Sequence, residues 1–166
     1  MKVLIGSIIV VICTTFCYGQ NRENDKDRIK LISLDVLQSR RLRYHQVQIN
    51  ISLLNSVAVV SVKSKAACHD KKCLKTNIDT SYSVSSNDFF KIENAVTKIS
   101  SVDIEAAQLR GLDGVTCTIE FGQDRNLTSF TIWSPDSNTK ERKLRMFLRA
   151  CKLLLRTAKL NDRKIL

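Results

Sequence analysis

The longest continuous structural signal in the chain lies in residues 114–160, which read GVTCTIEFGQDRNLTSFTIWSPDSNTKERKLRMFLRACKLLLRTAKL. Apolar and polar residues alternate in its first part, and apolar residues recur every three or four positions in its last part. Alternation with a period of two predicts strands, and recurrence at three to four predicts an amphipathic helix. The segment is therefore expected to fold as two strands, a tight turn and one long helix.

The helix is predicted over residues 139–159, with Asn138 as its N-cap and Glu141 at the third helical position, a variant of the capping box. Its apolar residues share one arc of the helical projection: Leu144, Phe147, Leu148, Cys151, Leu154, Leu155 and Ala158. Its basic residues share a separate arc: Arg142, Arg145, Arg149, Lys152, Arg156 and Lys159. Burial of the apolar arc, at roughly 1.5–3 kcal/mol for each side chain, makes this helix the main packing element.

Strands are expected on both sides of a hairpin loop before this helix. Residues 115–121 alternate between apolar and polar side chains, and residues 127–133 place Phe130 and Ile132 on one face. Residues 122–126 join the two strands as a loop of moderate length. The helix is expected to pack on the inward face of this pair.

The upstream part of the chain contains the same two patterns. Alternation predicts strands at 46–53, 57–65 and 78–84, and also at 29–38, where a helix is the competing interpretation. Ser85 and Asp88 form a capping box before a helix over about 86–99. Because neighbouring strands usually pair antiparallel, we expect an α+β fold. It comprises a curved antiparallel sheet of five to six strands, with the two main helices, about 86–99 and 139–159, on one face.

Residues 1–19 have the pattern of a signal peptide, with Lys2, an apolar run to Phe16 and small residues before Gln20. The run is short for a membrane span, although an uncleaved anchor is the alternative, and no other stretch could span a bilayer. We expect cleavage near Gly19/Gln20 and export to the periplasm or the medium. Residues 20–28 are predicted to be a disordered leader and residues 29–166 a single α+β domain.

Four cysteines follow the predicted signal peptide: Cys68, Cys73, Cys117 and Cys151. An even number in an exported chain favours disulfides. Cys117 lies on the inward face of a predicted strand and Cys151 on the inward face of the helix expected to cover it. We therefore predict a Cys117–Cys151 disulfide, with Cys68 and Cys73 closing a local loop. The alternative is that Cys117 and Cys151 stay reduced and pack as small hydrophobes.

The composition is basic, with 27 Lys and Arg against 16 Asp and Glu and a net charge of +11. The basic arc of the last helix could bind an unknown protein or an anionic envelope component, or it could be an ordinary solvated face. Nucleic acid is disfavoured, because aromatic residues make up 6% of the chain and do not interleave with the basic ones. Trp133, in the Trp133–Asp136 turn, is a second candidate contact, unless it only covers the junction between strand and helix.

Residues suited to catalysis or metal binding do not form a recognisable motif. His69 lies between Cys68 and Cys73, but no second Cys/His pair completes a zinc site, and we expect neither metal nor cofactor. Asp113 and Glu120 would need a histidine nearby to act as a catalytic group. The alternative to a binding protein is therefore a small envelope hydrolase that brings these carboxylates together with a histidine.

Three blocks of sequence carry a resemblance: GLDGVTCTIEFG at 111–122, TIWSPD at 131–136 and FLRACKLL at 147–154. They resemble a group of mostly uncharacterised small exported proteins of Gram-negative bacteria, most clearly over residues 78–166. The resemblance implies export and brings no known catalytic residue. We expect an exported binding or interaction protein that uses the basic helix face or the Trp133 turn.

Overall fold

The computed structural model describes residues 29–39, 44–67, 77–109, 111, 113–123 and 125–166. They form the strands β1 Leu31–Gln38, β2 Tyr44–Leu54, β3 Val57–Ala66, β4 Ile78–Val84, β5 Val115–Gln123 and β6 Asn126–Trp133. They also form the helices α1 Ser86–Val96, α2 Ser101–Ala106 and α3 Arg145–Thr157, followed by a 3-10 turn at Asp162–Lys164. The predicted signal peptide and leader, residues 1–28, lie outside the described residues.

All six strands belong to one open antiparallel sheet, in the order β4–β3–β2–β1–β5–β6. β1 pairs with β2 on one side and with β5 on the other, so that Val36 lies opposite both Val47 and Cys117. The predicted α+β class is confirmed, as are the antiparallel sheet and the two main helices. Residues 31–38 form a strand, which decides between the two interpretations of that segment.

Tight turns fix the register of the two hairpins. Asn55 and Ser56 join β2 to β3 with φ angles of 46° and 69°, as a type I′ turn requires. β5 and β6 meet in a shorter turn than predicted, because Gln123 already pairs with Asn126. Gly122 has a φ of 152°, and a Cβ atom at this position would lie 2.0 Å from the carbonyl oxygen of Asn126. This position therefore requires glycine.

The helices cover one face of the sheet and enclose the core with it. α1 packs against α3 and also contacts β2 and β3, and α2 contacts β6. The largest fully buried side chains come from both layers: Ile32, Leu34, Ile49, Ile51, Phe89, Ile92, Ile119, Ile132, Leu144, Phe147, Leu154 and Leu155. Within the described residues, no helix is long and apolar enough to cross a bilayer.

The first main helix begins as the sequence predicts and ends earlier. Ser85 Oγ accepts a hydrogen bond from the backbone N–H of Asp88 at 3.1 Å and donates to the Asp88 carboxylate at 2.7 Å. Ser85 is therefore the N-cap, but the predicted capping box is only half formed, because the Asp88 carboxylate bonds to the Ser85 hydroxyl and not to the Ser85 backbone N–H. Thr97 follows the last helical residue, and its hydroxyl donates to the carbonyl oxygen of Glu93 at 2.9 Å.

The last helix begins later than predicted. Residues 135–144 form a series of turns, and α3 follows Leu144, an N-cap that makes no side-chain capping bond. Asn138 has a φ of 50°, in the left-handed region, whereas an N-cap residue has an extended backbone. The predicted capping box of Asn138 and Glu141 therefore does not form at the start of the helix.

A Schellman motif accounts for the delay. Lys143 has a φ of 55°, and its N–H donates to the carbonyl of Lys140 at 3.1 Å. The N–H of Leu144 donates to the carbonyl of Thr139 at 2.9 Å. These two bonds and the left-handed residue are the signature of a helical turn that ends. The chain thus completes one short turn and stops before α3 begins.

The sheet face away from the helices is open and polar, as is common for antiparallel sheets. Strand register aligns its side chains in rows that cross all six strands. One row contains Asp79, Lys63, Gln48, Asp35, Thr118 and Thr131, and the next contains Ser81, Ser61, Asn50, Ser33, Glu120 and Ser129. Residues from distant parts of the chain therefore become neighbours on this face.

Candidate functional site

The basic residues of α3 lie along its outer side. Arg145, Arg149, Lys152 and Arg156 are three or four residues apart, and Lys159 continues the line just past the end of the helix. All are exposed except Lys152, which is half-buried. The opposite side of the helix lies in the core and contains Phe147, Ala150, Cys151, Leu154 and Leu155, with Leu144 and Ala158 at its two ends. Leu148, predicted on the same apolar arc, is only half-buried. The structure therefore separates the basic side of α3 from its apolar side.

Two cations at the end of this line have local partners. Arg156 places Nη2 2.8 Å and Nε 3.1 Å from one carboxylate oxygen of Asp162. Lys159 Nζ lies 4.4 Å from the ring centre of Tyr82, whose hydroxyl donates to the carbonyl of Thr157 at 2.9 Å. Burial raises the pKa of Tyr82, so its hydroxyl keeps the proton that this bond uses. Arg156 and Lys159 therefore help to fix the end of α3.

The three remaining cations, Arg145, Arg149 and Lys152, have no carboxylate partner among the described residues. We call them the basic triad. They lie within about 10 Å along the helix axis, and like charges at this spacing repel each other by roughly 0.2–0.5 kcal/mol per pair. The uncapped start of α3 adds the positive end of the helix dipole near Arg145. The triad is therefore a concentration of unpaired positive charge on the outer side of α3.

Arg142 lies before α3, within the turns that lead into it, and points its guanidinium into the fold. Nε and Nη2 donate to the carbonyl of Ala107 at 3.1 and 3.0 Å, and Nη2 also donates to that of Trp133 at 2.9 Å. Nη1 donates to the carbonyls of Ser134 and Ser137 at 2.6 and 3.0 Å. Burial lowers the pKa of Arg142. Its guanidinium joins the segment after α2, the end of β6 and the turn that follows.

Trp133 packs against the loop that precedes β5. A Cβ atom on Gly111 would lie 2.1 Å from the Trp133 ring, and one on Gly114 would lie 2.7 Å from it. Ser39 holds Gly114 in place with two hydrogen bonds. Its Oγ accepts from the N–H of Gly114 at 2.7 Å, and its N–H donates to the Gly114 carbonyl at 3.0 Å. The half-buried ring thus lies at the junction between β6 and the turns before α3.

The predicted disulfide between Cys117 and Cys151 is not formed. Both residues are fully buried free thiols, and their side chains are in hydrogen-bonding contact. This contact, together with burial, raises the pKa of Cys117 well above its usual value and disfavours the thiolate that forms disulfides. The helix does lie over the strand, but the two cysteines pack in the reduced form. Cys68 and Cys73 lie outside the described residues, and their pairing stays a prediction.

Most of the net charge of the chain belongs to one segment. Residues 140–164 contain ten Lys and Arg and two Asp and Glu, so they contribute +8 of the total +11. One of those two acids, Asp162, is already paired with Arg156. The structure gathers the segment into α3 and the turns at its two ends, so the positive charge is concentrated in the helical layer.

The carboxylates and the histidine that a hydrolase would need do not line the cleft on the open sheet face. A cleft of about 440 Å³ is lined by Gln46, Gln48, Lys63, Ser64, Lys65, Asn77, Ile78 and Asp79. Among the described residues that line it, none is Asp113, Glu120 or His45. Glu120 accepts a hydrogen bond from Ser129 at 3.1 Å, and no group of three metal-ligating side chains occurs in the described part of the chain. The hydrolase interpretation gains no support from these residues.

Two features of the site were not predicted from the sequence. The helical projection placed Arg142 on the basic arc, because it assumed one helix from residue 139 onward. The ion pair between Arg156 and Asp162 was not predicted either, because Asp162 lies beyond the end of the helix. An acidic residue six positions after an arginine is the one sequence signal for this pair.

Neither a protein-family model nor a curated protein matches the sequence.

Proposed function

We propose that the protein is an exported interaction protein that binds an acidic partner through the basic triad. The observation that carries the proposal is the group of three neighbouring cations that have no carboxylate partner among the described residues. Their mutual repulsion is a local cost to the helix, and an anionic partner would relieve it. Arg142 is used inside the fold and Trp133 packs at a junction, so the triad is the better candidate for contact.

The linear arrangement of the triad matches a partner that carries several negative charges in a row. Three side chains at steps of four and three residues lie on one line along a rigid helix. The surrounding charge of residues 140–164 would speed the approach of an anion and orient it before contact. An acidic segment of another protein or an anionic envelope component has the required chemistry.

The proposal includes export, which is supported by the signal-peptide pattern of residues 1–19 and by the resemblance to small exported proteins. The test is mass spectrometry of the protein purified from its native host. We expect the mature chain to start at Gln20. A mature protein that retains Met1 would contradict this part of the proposal.

Capture experiments test the binding function. The purified protein is immobilised and exposed to envelope extract at low and at physiological salt, and bound material is identified. We expect one or a few acidic partners that are released as salt rises, because exposed charges are screened beyond a Debye length of about 8 Å at 0.15 M.

The decisive comparison uses two variants of equal net charge. One reverses the triad by Arg145→Glu, Arg149→Glu and Lys152→Glu. The control reverses three exposed cations elsewhere, by Lys30→Glu, Lys98→Glu and Arg125→Glu. The triad variant should lose the partner and the control should retain it. Equal loss in both variants would mean that net charge alone, and not the triad, causes the binding.

A further inference from the structure

The cleft on the open sheet face is a second polar site, on the layer opposite the basic triad. It lies where β2, β3 and β4 run side by side, with Gln48 opposite Lys63, Gln46 opposite Lys65 and Lys63 opposite Asp79. Directly opposite residues have Cβ atoms about 4.5–5.5 Å apart, so these side chains share a small area. The cleft volume of about 440 Å³ is in the range of small-molecule sites.

Asp35, on the neighbouring strand β1, fixes the orientation of both glutamine side chains. Gln46 Nε2 lies 3.3 and 3.2 Å from the two oxygens of Asp35, and Gln48 Nε2 lies 3.2 Å from one of them. A carboxylate only accepts hydrogen bonds, so the amide nitrogens must face Asp35. The amide carbonyl oxygens are left for the cleft, since no described residue donates to them.

Asn77 is oriented in the opposite sense. Its Oδ1 accepts the backbone N–H of Ala66 at 2.7 Å. A backbone N–H only donates, so the amide nitrogen of Asn77 is the group left to bind a ligand. Lys63 and Lys65 are exposed and form no ion pair with any described residue. The cleft therefore combines two fixed acceptors and one fixed donor with two ammonium groups, beside the carboxylate of Asp79.

We propose that this cleft binds a small hydroxyl-rich acid, such as a single acidic sugar unit. A hydroxyl group both donates and accepts, so adjacent hydroxyls can bond to the carbonyls of Gln46 and Gln48 and to the amide of Asn77. Lys63 and Lys65 attract the acidic group, which must bind on their side of the cleft and away from the carboxylate of Asp79. A neutral sugar lacks this attraction, and a simple carboxylic acid leaves the oriented amides unused. The proposal is independent of the basic triad.

The test is a titration of the ¹⁵N-labelled protein with glucuronate, glucose and acetate at constant ionic strength, followed by amide chemical shifts. Glucuronate should shift the backbone amides of Gln46, Gln48, Lys63, Lys65 and Asn77, with a Kd at least about tenfold lower than that of glucose or acetate. The double variant Lys63→Ala and Lys65→Ala should abolish the preference for glucuronate over glucose.

Asp35→Asn tests the orienting role of Asp35. The new side chain can donate as well as accept, so the glutamine amides are free to turn, and glucuronate should bind severalfold more weakly although Asp35 does not contact the ligand. Lys98→Glu, at an exposed position just after α1 and outside both the cleft and the basic triad, is the charge-matched control and should leave glucuronate binding unchanged. Equal binding of acetate and glucuronate, shifts confined to α3, or no shift at about 50 mM glucuronate would each overturn the proposal.

Discussion

Among single residues, Arg142 has the largest structural role in the region around the basic triad. One guanidinium contacts the carbonyls of Ala107, Trp133, Ser134 and Ser137, which belong to three segments that meet before α3. Arginine suits this role because its planar group carries five donors in a fixed arrangement. The start of α3, and with it the triad, is therefore positioned by a residue that the sequence pattern assigned to the exposed arc.

Replacing Arg142 by alanine should lower the free energy of unfolding by roughly 2–4 kcal/mol, because charge-assisted bonds are lost and partly buried carbonyls are left unpaired. Arg142→Lys should recover only part of this loss, since one ammonium cannot reach four carbonyls. Denaturant unfolding measures both. Arg145→Ala, the exposed control, should change stability by less than about 0.5 kcal/mol. An Arg142→Ala variant as stable as this control would contradict the structural role of the guanidinium.

The cysteine pair provides a second test at this scale. With Cys13, Cys17, Cys68 and Cys73 replaced by serine, Cys117 and Cys151 should not react with a thiol reagent in the native protein at neutral pH. Both are fully buried, and the raised pKa of Cys117 keeps its thiol protonated. In denaturant both thiols should react. A denatured chain without reactive thiols would show that the two residues form a disulfide after all.

At the scale of elements, most of the strands and the phase of the last helix follow from hydrophobic periodicity, whereas periodicity alone left β1 open between strand and helix. The alternation in residues 46–53 and 57–65 predicts β2 and β3, and the apolar arc predicts which side of α3 is buried. The start of α3 could not be predicted in this way. It depends on left-handed backbone at Asn138 and Lys143, and neither is the glycine that usually marks such a position.

Because of this Schellman turn, replacing a lysine by glycine should raise the free energy of unfolding at position 143 and lower it at position 140. Lys143→Gly should raise the free energy of unfolding by up to about 1 kcal/mol, because glycine adopts a φ of 55° without strain. The substitution also removes the 3.9 Å ion pair between Lys143 and Asp103, but this pair is exposed and its loss should change stability little. Lys140→Gly, where φ is not positive, should instead lower stability by about 0.5–1 kcal/mol. Thermal unfolding of both variants checks the contrast, and destabilisation by Lys143→Gly would contradict it.

At the scale of the whole molecule, the two layers differ in charge. The helical layer contains the segment with a net charge of +8, whereas the open sheet face mixes Lys63 with Asp35, Asp79 and Glu120. The charge of the segment can be counted from the sequence. Which cations remain unpaired depends on tertiary contacts, and the cleft depends on the register of three strands. Neither could be predicted from local patterns.

The most direct test of the central claim measures binding of the protein to poly-L-glutamate, an acidic chain of defined chemistry, by calorimetry at about 50 mM salt. Each exposed ion pair contributes roughly 0.2–1 kcal/mol, or roughly 0.6–3 kcal/mol for three pairs, so reversal of all three triad charges should weaken binding by about threefold to 100-fold. The control variant, with Lys30, Lys98 and Arg125 changed to glutamate, has the same net charge as the triad variant. It should bind with an affinity within about twofold of that of the unmodified protein. If the two variants lose affinity equally, or if the triad variant binds as well as the unmodified protein, the basic triad is not the binding surface.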